Sequence, residues 1–340
     1  SNKPPGGDTQ ETSYGSHPGN QASHTKGPVK ASPRHGMLRE LSLHRGLYLM
    51  MLPGILYILV MYYCPMAGSV IAFQQYNPRK GLFGSEWIGW KNFEFLFRSK
   101  SVWNVTWNTI SYNLLFMVLG LGLAMLVAVL LQETGHKRLS GLYKSVMLFP
   151  YLLSWVVIGY LLFALLNMDR GILNRLLLAL GHEPVMWYSE PAIWRFLLVG
   201  AYLWKNVGYL CVLYVAGIMN ISPEYYEAAQ MDGATKVQQI LRITVPMLLP
   251  ITITLFLLQA GKIFYAAFGD WGLFYNLPKE SGVLFGTTDV IDTYVYRALR
   301  QLNDFGMSSA VGLYQSLVGF LLVLASNLVV RKYDRESAMF

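Results

Sequence analysis

The chain has 340 residues, of which 54% are hydrophobic and only 14% are charged, against about 25% charged in a typical soluble domain. Lysine and arginine outnumber aspartate and glutamate by 27 to 19, which gives a net charge of +8. This composition disfavours a soluble enzyme, a disordered protein and a coiled coil, and it indicates a protein that crosses a membrane several times. The basic residues are spread over tails and loops between apolar segments, so the positive charge does not indicate nucleic-acid binding.

The first 36 residues differ from the rest of the chain. They contain no Leu, Ile, Phe, Met or Trp and are rich in Gly, Pro, Ser and His. Such a segment cannot bury enough apolar surface to order itself, so a disordered cytoplasmic tail is predicted over 1–36. A transmembrane domain over 37–333 and a short cytoplasmic tail over 334–340 follow. Cys64 and Cys211 lie in apolar stretches, so neither a disulfide framework nor a metal site is predicted.

Six apolar segments are each long enough to cross about 30 Å of hydrocarbon as a helix. They cover 47–73, 109–132, 144–166, 195–218, 247–268 and 308–330. The predicted fold class is therefore all-α, a polytopic membrane protein with six transmembrane helices. The first and fifth segments contain proline, which membrane helices tolerate as kinks.

An even number of spans places both termini on the same side of the membrane. The basic residues nearest the membrane fall on that side, and they are Arg45, Lys137, Arg138, Lys144, Arg331, Lys332 and Arg335. Because cytoplasmic loops carry the excess of lysine and arginine, both termini are expected in the cytoplasm. The outer loops, about 74–108, 167–194 and 269–307, are rich in tryptophan. They indicate an interfacial aromatic belt or a docking surface for an extracellular partner, and the belt is the general habit.

Several kinds of chemistry are missing from the six segments. They contain no Asp, Glu or His, whereas proton-coupled carriers usually need such a group inside the membrane. Sodium sites built from backbone carbonyls remain possible. The chain has no G-x-x-x-x-G-K-[ST] sequence, so it is not expected to hydrolyse ATP itself. A membrane-embedded enzyme is disfavoured because no His, Asp or Glu set faces inward.

The loop over 220–250 reads NISPEYYEAAQMDGATKVQQILRITVPMLLP. Ser222 is predicted to cap a helix that begins at Pro223, since serine is a favoured cap and proline suits the first helical position. This helix should run to about Met231. Gly233 can adopt the left-handed conformation that ends it.

A second short helix is predicted after this glycine. Thr235 and Gln238 form the capping-box pattern that opens a helix. Four residues are expected on one face of it, namely Val237, Ile240, Leu241 and Thr244. Pro246 is expected to end it. From local physics alone, the two helices are either an amphipathic connector on the lipid surface or a docking element for another protein.

The same loop carries a resemblance to a known family. Glu227, Ala228, Ala229, Gly233, Ile243, Val245 and Pro246 resemble the EAA motif of binding-protein-dependent ABC importer permeases (E-A-A-x3-G-x9-I-x-L-P), with Val245 replacing the usual leucine. Asp232, Gly233 and Ala234 form a D-G-A triplet that is common in the carbohydrate branch. Segments such as 62–78, 149–167 and 289–297 are similar to permeases that import oligosaccharides released from complex polysaccharides.

This resemblance implies a type I ABC importer permease fold and a role as permease subunit of an ATP-driven oligosaccharide importer. The implied partners are a second permease, a dimer of cytoplasmic ATPase subunits that holds ATP and magnesium, and an extracellular solute-binding protein. The chain itself would be no enzyme and would carry no cofactor or metal, and its implied location is a bacterial plasma membrane. The alternative is a self-contained secondary carrier or channel for a small polar solute.

In that family, the EAA loop forms coupling helices that sit on the ATPase. The resemblance therefore implies an ATPase-coupling role for Glu227, Ala228, Ala229, Asp232, Gly233, Ile243 and Pro246.

The substrate pathway has weaker signals. Lys205 and Lys262 lie well inside predicted spans, where a charge is a functional candidate. They would suit a uronate-containing sugar, or alternatively they reach an interface or bind neighbouring carbonyls. Sugar sites also favour aromatic rings and amides, and these candidates are Asn113, Tyr160, Trp204, Asn206, Tyr209, Tyr265, Tyr314 and Gln315. The alternative for each is a role in helix packing.

Overall fold

The computed structural model describes residues 44–94, 99–133 and 137–333. The chain divides into two units, residues 1–62 and 63–340. The predicted tails over 1–36 and 334–340 lie outside the described residues. The described part of the first unit contains helix α1 (Arg45–Ile58) and most of the π-helical turn Leu59–Tyr63, and all its side chains are exposed.

The second unit begins with short elements and continues with long helices. The short ones are α2 (Cys64–Met66), strand β1 (Gln74–Gln75), α3 (Gly81–Gly84) and strand β2 (Glu86–Trp87), which pairs antiparallel with β1. The longer helices that follow are α4 (Lys100–Glu133), α5 (Lys137–Leu152), α6 (Trp155–Leu166), α7 (Ile172–Ala179) and α8 (Pro191–Met219).

The rest of the unit alternates short helices with two longer ones. In chain order these are α9 (Pro223–Met231), α10 (Lys236–Gln239), a π-helical turn (Ile240–Thr244), α11 (Val245–Met247), α12 (Leu249–Ala260), α13 (Gly272–Asn276), α14 (Phe285–Thr288), α15 (Ile291–Arg297), a second π-helical turn (Ala298–Leu302) and α16 (Phe305–Tyr333). Short 3₁₀ segments cover Ala67–Phe73, Gly89–Phe93, Trp187–Ser189 and Gly282–Leu284, and a turn with left-handed residues covers Ala266–Gly269.

The all-α membrane fold is confirmed, but the count of six spans is not. Four helical stretches of the described chain are long and apolar enough to cross a membrane, and they are Arg45–Phe73, Lys100–Glu133, Pro191–Met219 and Phe305–Lys332. Two bent pairs also pass this test. Gly141–Leu152 and α6 meet at 94°, and Lys236–Met247 and α12 meet at 49°. The number of spans reaches six only if each bent pair counts as one.

The prediction of one continuous helix over 144–166 is wrong, because the chain turns sharply between α5 and α6. Pro150 lies in the last turn of α5, and its carbonyl accepts from the backbone N–H of Leu153 (3.1 Å). Ser154 then caps α6 with its side chain, which accepts from the N–H of Val157 (3.3 Å). A proline followed by a serine cap is the local signal that marks this break.

The predicted fifth span over 247–268 is also wrong at its end. Helix α12 ends at Ala260, and the backbone after it is not helical. Ala267 and Phe268 have φ angles of 47° and 57°, and that of Gly269 is 101°. Left-handed conformations are costly for residues with a Cβ, so neighbouring groups must hold this turn in place.

Buried amides satisfy the backbone of the unwound segment. Nδ2 of Asn113 donates to the carbonyls of Ile263 and Tyr265, at 2.7 Å each. Nε2 of Gln315 donates to the carbonyl of Phe264 at 2.7 Å. Unwound backbone inside a membrane protein requires such partners, because hydrocarbon offers none.

Helix α8 supports two hydrophobic cores, one along each half of its length. We call the core around its N-terminal half the first core. There Trp194 and Leu198 are fully buried, and the ring of Tyr202 stacks on Phe116 at 3.9 Å. The other members include Leu273, Phe274, Leu277, Leu284 and Val290. Much of the predicted outer loop 269–307 is therefore core, and Trp194 belongs to neither a belt nor a docking surface.

The second core surrounds the C-terminal half of α8. Its fully buried members are Tyr214, Leu248, Ala124 and Ala128. Between the two cores, α8 crosses α5 at Gly208. A Cβ there would lie 1.8 Å from the carbonyl oxygen of Met147, so only glycine permits this approach.

Candidate functional site

The loop after α8 forms two helical segments joined at a glycine, as predicted. Pro223 is the first residue of α9, which ends at Met231. Ser222 occupies the cap position with extended backbone, but its side chain makes no capping hydrogen bond. Gly233 has a φ of 78°, the left-handed conformation expected of it.

The second helical segment begins as predicted and ends differently. The N–H of Thr235 donates to Oε1 of Gln238 (2.8 Å), and the N–H of Gln238 donates to Oγ1 of Thr235 (3.4 Å), which completes the capping box. Pro246 does not end the segment. Helical structure continues through the π-helical turn to Met247 and bends by 49° into α12.

The four residues predicted on one face of this segment differ in their burial. Val237 and Leu241 are 64% and 62% exposed, whereas Ile240 is half-buried and Thr244 is buried. Gln239, which was not predicted on this face, is also buried. The π-helical turn Ile240–Thr244 contributes to this pattern, because its wider spiral shifts the residues from Ile240 onward away from the 3.6-residue period used for the prediction. Apolar side chains are therefore presented outward.

The residues of the EAA motif lie on this loop with different exposures. Glu227, Ala228, Asp232, Gly233 and Pro246 are exposed, and Ala229 and Ile243 are half-buried. Glu227 lines a cavity of about 700 Å³, which we call the loop cavity, between α9 and the C-terminal ends of α4 and α8. An exposed acid and small alanines on a short helix permit close packing of another protein.

Two side-chain contacts connect the loop to the rest of the unit. The hydroxyls of Tyr226 on α9 and Thr244 in the π-helical turn are 2.9 Å apart. Nζ of Lys236 lies 3.6 Å from Oε2 of Glu133 at the end of α4. A displacement of α9 can therefore reach the π-helical turn before α12, and a displacement of α10 can reach the end of α4.

A second candidate site lies between α8 and α12, and we call it the α8–α12 pocket. Its volume is about 350 Å³. It is lined by Tyr151, Tyr202, Asn206, Tyr209, Leu210, Leu213, Leu255, Leu258, Gln259, Lys262, Ala267 and Phe268. Three of the predicted pathway residues, Asn206, Tyr209 and Lys262, are thus brought together.

The chemistry of this pocket combines rings, amides and one cation. Tyr151 and Tyr209 stack with their centroids 4.6 Å apart and an angle of 9° between the rings. Oε1 of Gln259 is buried and has no protein hydrogen-bond partner. The amino group of Lys262 makes no hydrogen bond or ion pair to any residue that the structure describes. An unpartnered amide oxygen and an uncompensated cation are groups that a polar, anionic ligand can satisfy.

Lys205 does not line the pocket, although it was predicted with Lys262. It is 6% exposed, and its Nζ donates to the carbonyl of Tyr151 (2.9 Å) at the end of α5. It also lies 5.0 Å and 5.2 Å from the ring centroids of Tyr151 and Trp155. Lys205 therefore binds a neighbouring carbonyl, which was the alternative to a substrate role. Its positive charge suits the negative end of the α5 dipole.

Three more of the predicted pathway residues lie at the contact between the unwound segment and α16. The hydroxyl of Tyr265 is 2.8 Å from that of Ser316, and Tyr314 packs edge-on against Phe264. The side-chain amide of Gln315 already donates to the carbonyl of Phe264. None of these three lines the α8–α12 pocket.

Sequence reasoning missed two carboxylates that hold the left-handed turn beside the pocket. Oδ2 of Asp292 accepts from the N–H of Ala266 (2.7 Å), and Oδ2 of Asp270 accepts from Nε1 of Trp155 (2.6 Å). Burial raises the pKa of Asp292. No local pattern signals these roles, because both acids reach distant parts of the chain.

The sequence matches the profile of the family described as "Binding-protein-dependent transport system inner membrane component" over residues 120–335. The chain is 33% identical to the polygalacturonan/rhamnogalacturonan transport system permease protein YteP of Bacillus subtilis (strain 168), covering 90% of this chain and 94% of the relative. It is 27% identical to the arabinooligosaccharides transport system permease protein AraP of the same organism, covering 88% and 93%.

Two solved structures are similar to this one over most of the chain. The first is a bacterial ABC transporter involved in the import of the acidic polysaccharide alginate, with a TM-score of 0.79 and 29% identity over 88% of this chain and 100% of that chain. The second is a bacterial alginate ABC transporter in complex with an alginate pentasaccharide-bound periplasmic protein, with a TM-score of 0.78 and 28% identity over 88% and 98%.

The matched family region contains α8, the two-helix loop and the α8–α12 pocket. The resemblance drawn from the EAA residues is confirmed by these matches. The chain is therefore a multi-pass membrane protein that belongs to the binding-protein-dependent transport system inner membrane components, the permease subunits of ABC importers.

Proposed function

We propose that this chain is a permease subunit of an ATP-driven oligosaccharide importer in a bacterial plasma membrane, with both termini in the cytoplasm. A second permease completes the pathway, and an extracellular binding protein delivers the sugar. ATP and magnesium bind to a cytoplasmic dimer of ATPase subunits. The names of similar permeases, which refer to polygalacturonan, rhamnogalacturonan and arabinooligosaccharides, support a carbohydrate cargo.

The observation that carries the coupling role is the exposed two-helix loop at the C-terminal end of α8. Glu227 is the acidic group of this loop that lines the loop cavity, and Leu241 and Val237 present apolar surface elsewhere on the same loop. Exposed apolar groups mark a surface for lipid or for a protein, and the exposed acid on the same loop favours a protein partner. We infer that the loop binds the ATPase.

Coupling then follows from the contacts of the loop. When the ATPase dimer closes, it displaces α9, and the Tyr226–Thr244 contact passes this displacement to the π-helical turn. Helix α12 follows a bend of 49°, and we expect the displacement to change the angle of α12 at this bend. Gln259 lies in the last turn of α12 and Lys262 follows just after it, so the α8–α12 pocket changes shape with the loop.

The test uses the assembled complex in proteoliposomes. Glu227→Ala and Gly233→Pro should each lower transport and sugar-stimulated ATPase activity at least about tenfold while leaving expression unchanged, because they alter the docking surface and the left-handed elbow. Glu183→Ala, which removes an exposed glutamate elsewhere, is the matched control. Full activity of both loop variants, or transport without ATP and partners, would show that the loop does not couple the ATPase to transport.

We further propose that the cargo is an acidic, uronate-containing oligosaccharide. Lys262 places one cation at the α8–α12 pocket, and no described carboxylate neutralises it. A sugar carboxylate would supply the missing charge, while the stacked Tyr151 and Tyr209 rings suit the apolar face of a pyranose. The alginate importers with similar structures also carry an acidic saccharide.

Lys262→Met tests this substrate class. Uptake of tetragalacturonate should fall by about tenfold, since a hydrogen bond to a charged group is lost. Uptake of the same tetrasaccharide with its carboxyl groups reduced to alcohols should not change, and Lys262→Arg should keep the acidic preference. An equal loss for both sugars in Lys262→Met would argue against a counter-charge role.

A further inference from the structure

A second cavity, of about 220 Å³, lies between α6 and α13, and we call it the α6–α13 cavity. It is lined by Val156, Gly159, Tyr160, Tyr275, Asn276, Lys279 and Glu280. Drug-sized ligands occupy pockets of about 300–1,000 Å³, so this cavity suits a smaller group such as one sugar unit. None of its lining residues belongs to the α8–α12 pocket.

The backbone around this cavity is held in one arrangement. At Gly159 the two helices approach so closely that a Cβ would lie 2.7 Å from the carbonyl oxygen of Asn276. Nδ2 of Asn276 donates to the carbonyl of Gly272 (2.8 Å), which fixes the amide at the cavity wall. Lys279 and Glu280 both have left-handed backbone, with φ angles of 53° and 52°. Two such residues in succession are costly and are typical of functional sites.

This strained turn places a cation over aromatic rings of α6. Nζ of Lys279 lies 4.3 Å from the ring centroids of both Tyr160 and Phe163. Lys279 forms no ion pair with a carboxylate of the described chain. The ammonium group therefore keeps N–H donors for a ligand anion, and the rings hold it in position.

The chemistry of the cavity matches that of a sugar acid. The rings of Tyr160 and Tyr275 offer apolar faces to a sugar ring. The amide oxygen of Asn276 and the carboxylate of Glu280 can accept hydrogen bonds from sugar hydroxyl groups, and the ammonium group of Lys279 can donate to a sugar carboxylate. Tyr275 is kept in place by edge contacts with Trp271 (5.6 Å) and Tyr296 (5.2 Å).

The left-handed turn connects the α8–α12 pocket to the cavity along the chain. Ala267 and Phe268 of this turn line that pocket, and Asp270 accepts from Nε1 of Trp155 at its end. Trp271 comes next in the chain and packs against Tyr275 of the cavity. Four of the residues that line the cavity belong to the predicted outer loop 269–307, and neither site shares a lining residue with the loop cavity. A chain of sugar units that enters from outside can meet the cavity before the pocket.

We propose that the α6–α13 cavity is an entry subsite that binds one uronate unit of the incoming oligosaccharide, with its carboxylate on Lys279 and its ring against Tyr160 and Tyr275. This rests on the proposed function, since it assumes that an acidic oligosaccharide is the cargo. The subsite would hold the trailing or leading unit while another unit occupies the α8–α12 pocket.

The experiment measures sugar binding to the assembled complex in nanodiscs without the binding protein, by saturation-transfer NMR. The probes are tetragalacturonate and its carboxyl-reduced form. Lys279→Met should weaken tetragalacturonate binding by about threefold, as expected for a partly exposed ion pair, and leave binding of the reduced sugar unchanged.

Tyr160→Leu should weaken the binding of both sugars, because stacking does not depend on the carboxylate. Lys80→Met removes an exposed lysine outside the cavity and should change neither.

The outcomes separate this proposal from the proposed function. If Lys262→Met weakens tetragalacturonate binding and Lys279→Met does not, the entry subsite is wrong and the acidic cargo stands. If wild type binds both sugars equally, the acidic cargo itself fails. If Lys279→Met instead lowers the affinity of the complex for the binding protein, loaded with either sugar, the turn is a protein docking surface and the subsite is overturned.

Discussion

The crossing of α8 with its neighbours buries its apolar groups, whereas the loop that follows α8 leaves apolar groups exposed. At the crossing, Gly208 lets α5 approach to backbone contact, and Tyr214 and Leu248 are fully buried. In the loop, Met231 is 88% exposed and Leu241 is 62% exposed, although both are apolar. Only 3 residues, 220–222, separate the end of α8 at Met219 from the start of α9 at Pro223.

This contrast separates what the chain completes by itself from what it leaves to a partner. The crossing has its apolar groups packed and its broken helix ends bonded, so it should be the stable part of the unit. The loop has local caps that set its shape but few buried contacts. We therefore expect substitutions at the crossing to change stability and substitutions in the loop to change assembly.

Gly208→Ala should have the largest effect on stability. The added Cβ would meet the carbonyl of Met147, and moving two helix backbones apart costs about 3 kcal/mol. Thermal unfolding of the purified complex should show a clearly lower midpoint. Gly200→Ala on the same helix meets no atom within 4 Å and serves as the control. Equal unfolding midpoints for Gly208→Ala and Gly200→Ala would show that the close approach at Gly208 does not stabilise the crossing.

Lys205→Met should have the next largest effect. It leaves the carbonyl of Tyr151 without its donor at the end of α5, and an unsatisfied buried group costs about 1–3 kcal/mol. The unfolding midpoint should fall, whereas Lys262→Met, which removes an exposed lysine, should leave it unchanged. An unchanged or higher midpoint for Lys205→Met would mean that the cost of burying the charge exceeds the value of its bonds.

Leu241→Ser should have the smallest effect on stability, within about 0.5 kcal/mol, because the side chain is already exposed. It should nevertheless reduce the amount of ATPase that co-purifies with the permease, since a partner loses apolar contact. Phe83→Ser removes a fully exposed ring elsewhere and should not reduce it. A lower unfolding midpoint with normal co-purification would show that Leu241 supports the fold.

Local signals account for the parts of the structure that sequence analysis predicted well. The limits of α9, the left-handed Gly233 and the capping box of Thr235 and Gln238 depend on residues within one or two helical turns of each other. The long apolar helices were also predicted, although α4 begins at Lys100, nine residues before the predicted span at 109. The predicted coupling roles of these loop residues stay predictions until the loop variants are measured.

The failures occurred where contacts between distant residues decide the backbone. The unwound segment after Ala260 is apolar and reads as helix, but Asn113 and Gln315, far away in sequence, bind its carbonyls. Lys205 and Lys262 look alike in the sequence, yet one caps a helix end and the other faces a pocket. No local pattern distinguishes these outcomes.

The sequence by itself determined the class of the protein, because 54% apolar residues in long runs require a membrane, and the EAA residues carry the family resemblance. Only the tertiary structure decided where the helices break and which polar groups meet at a pocket. The physical reason is that hydrocarbon offers no hydrogen bonds, so every unwound backbone group must find a partner elsewhere in the fold. Those partners, and the groups left unpaired beside them, define the candidate sites.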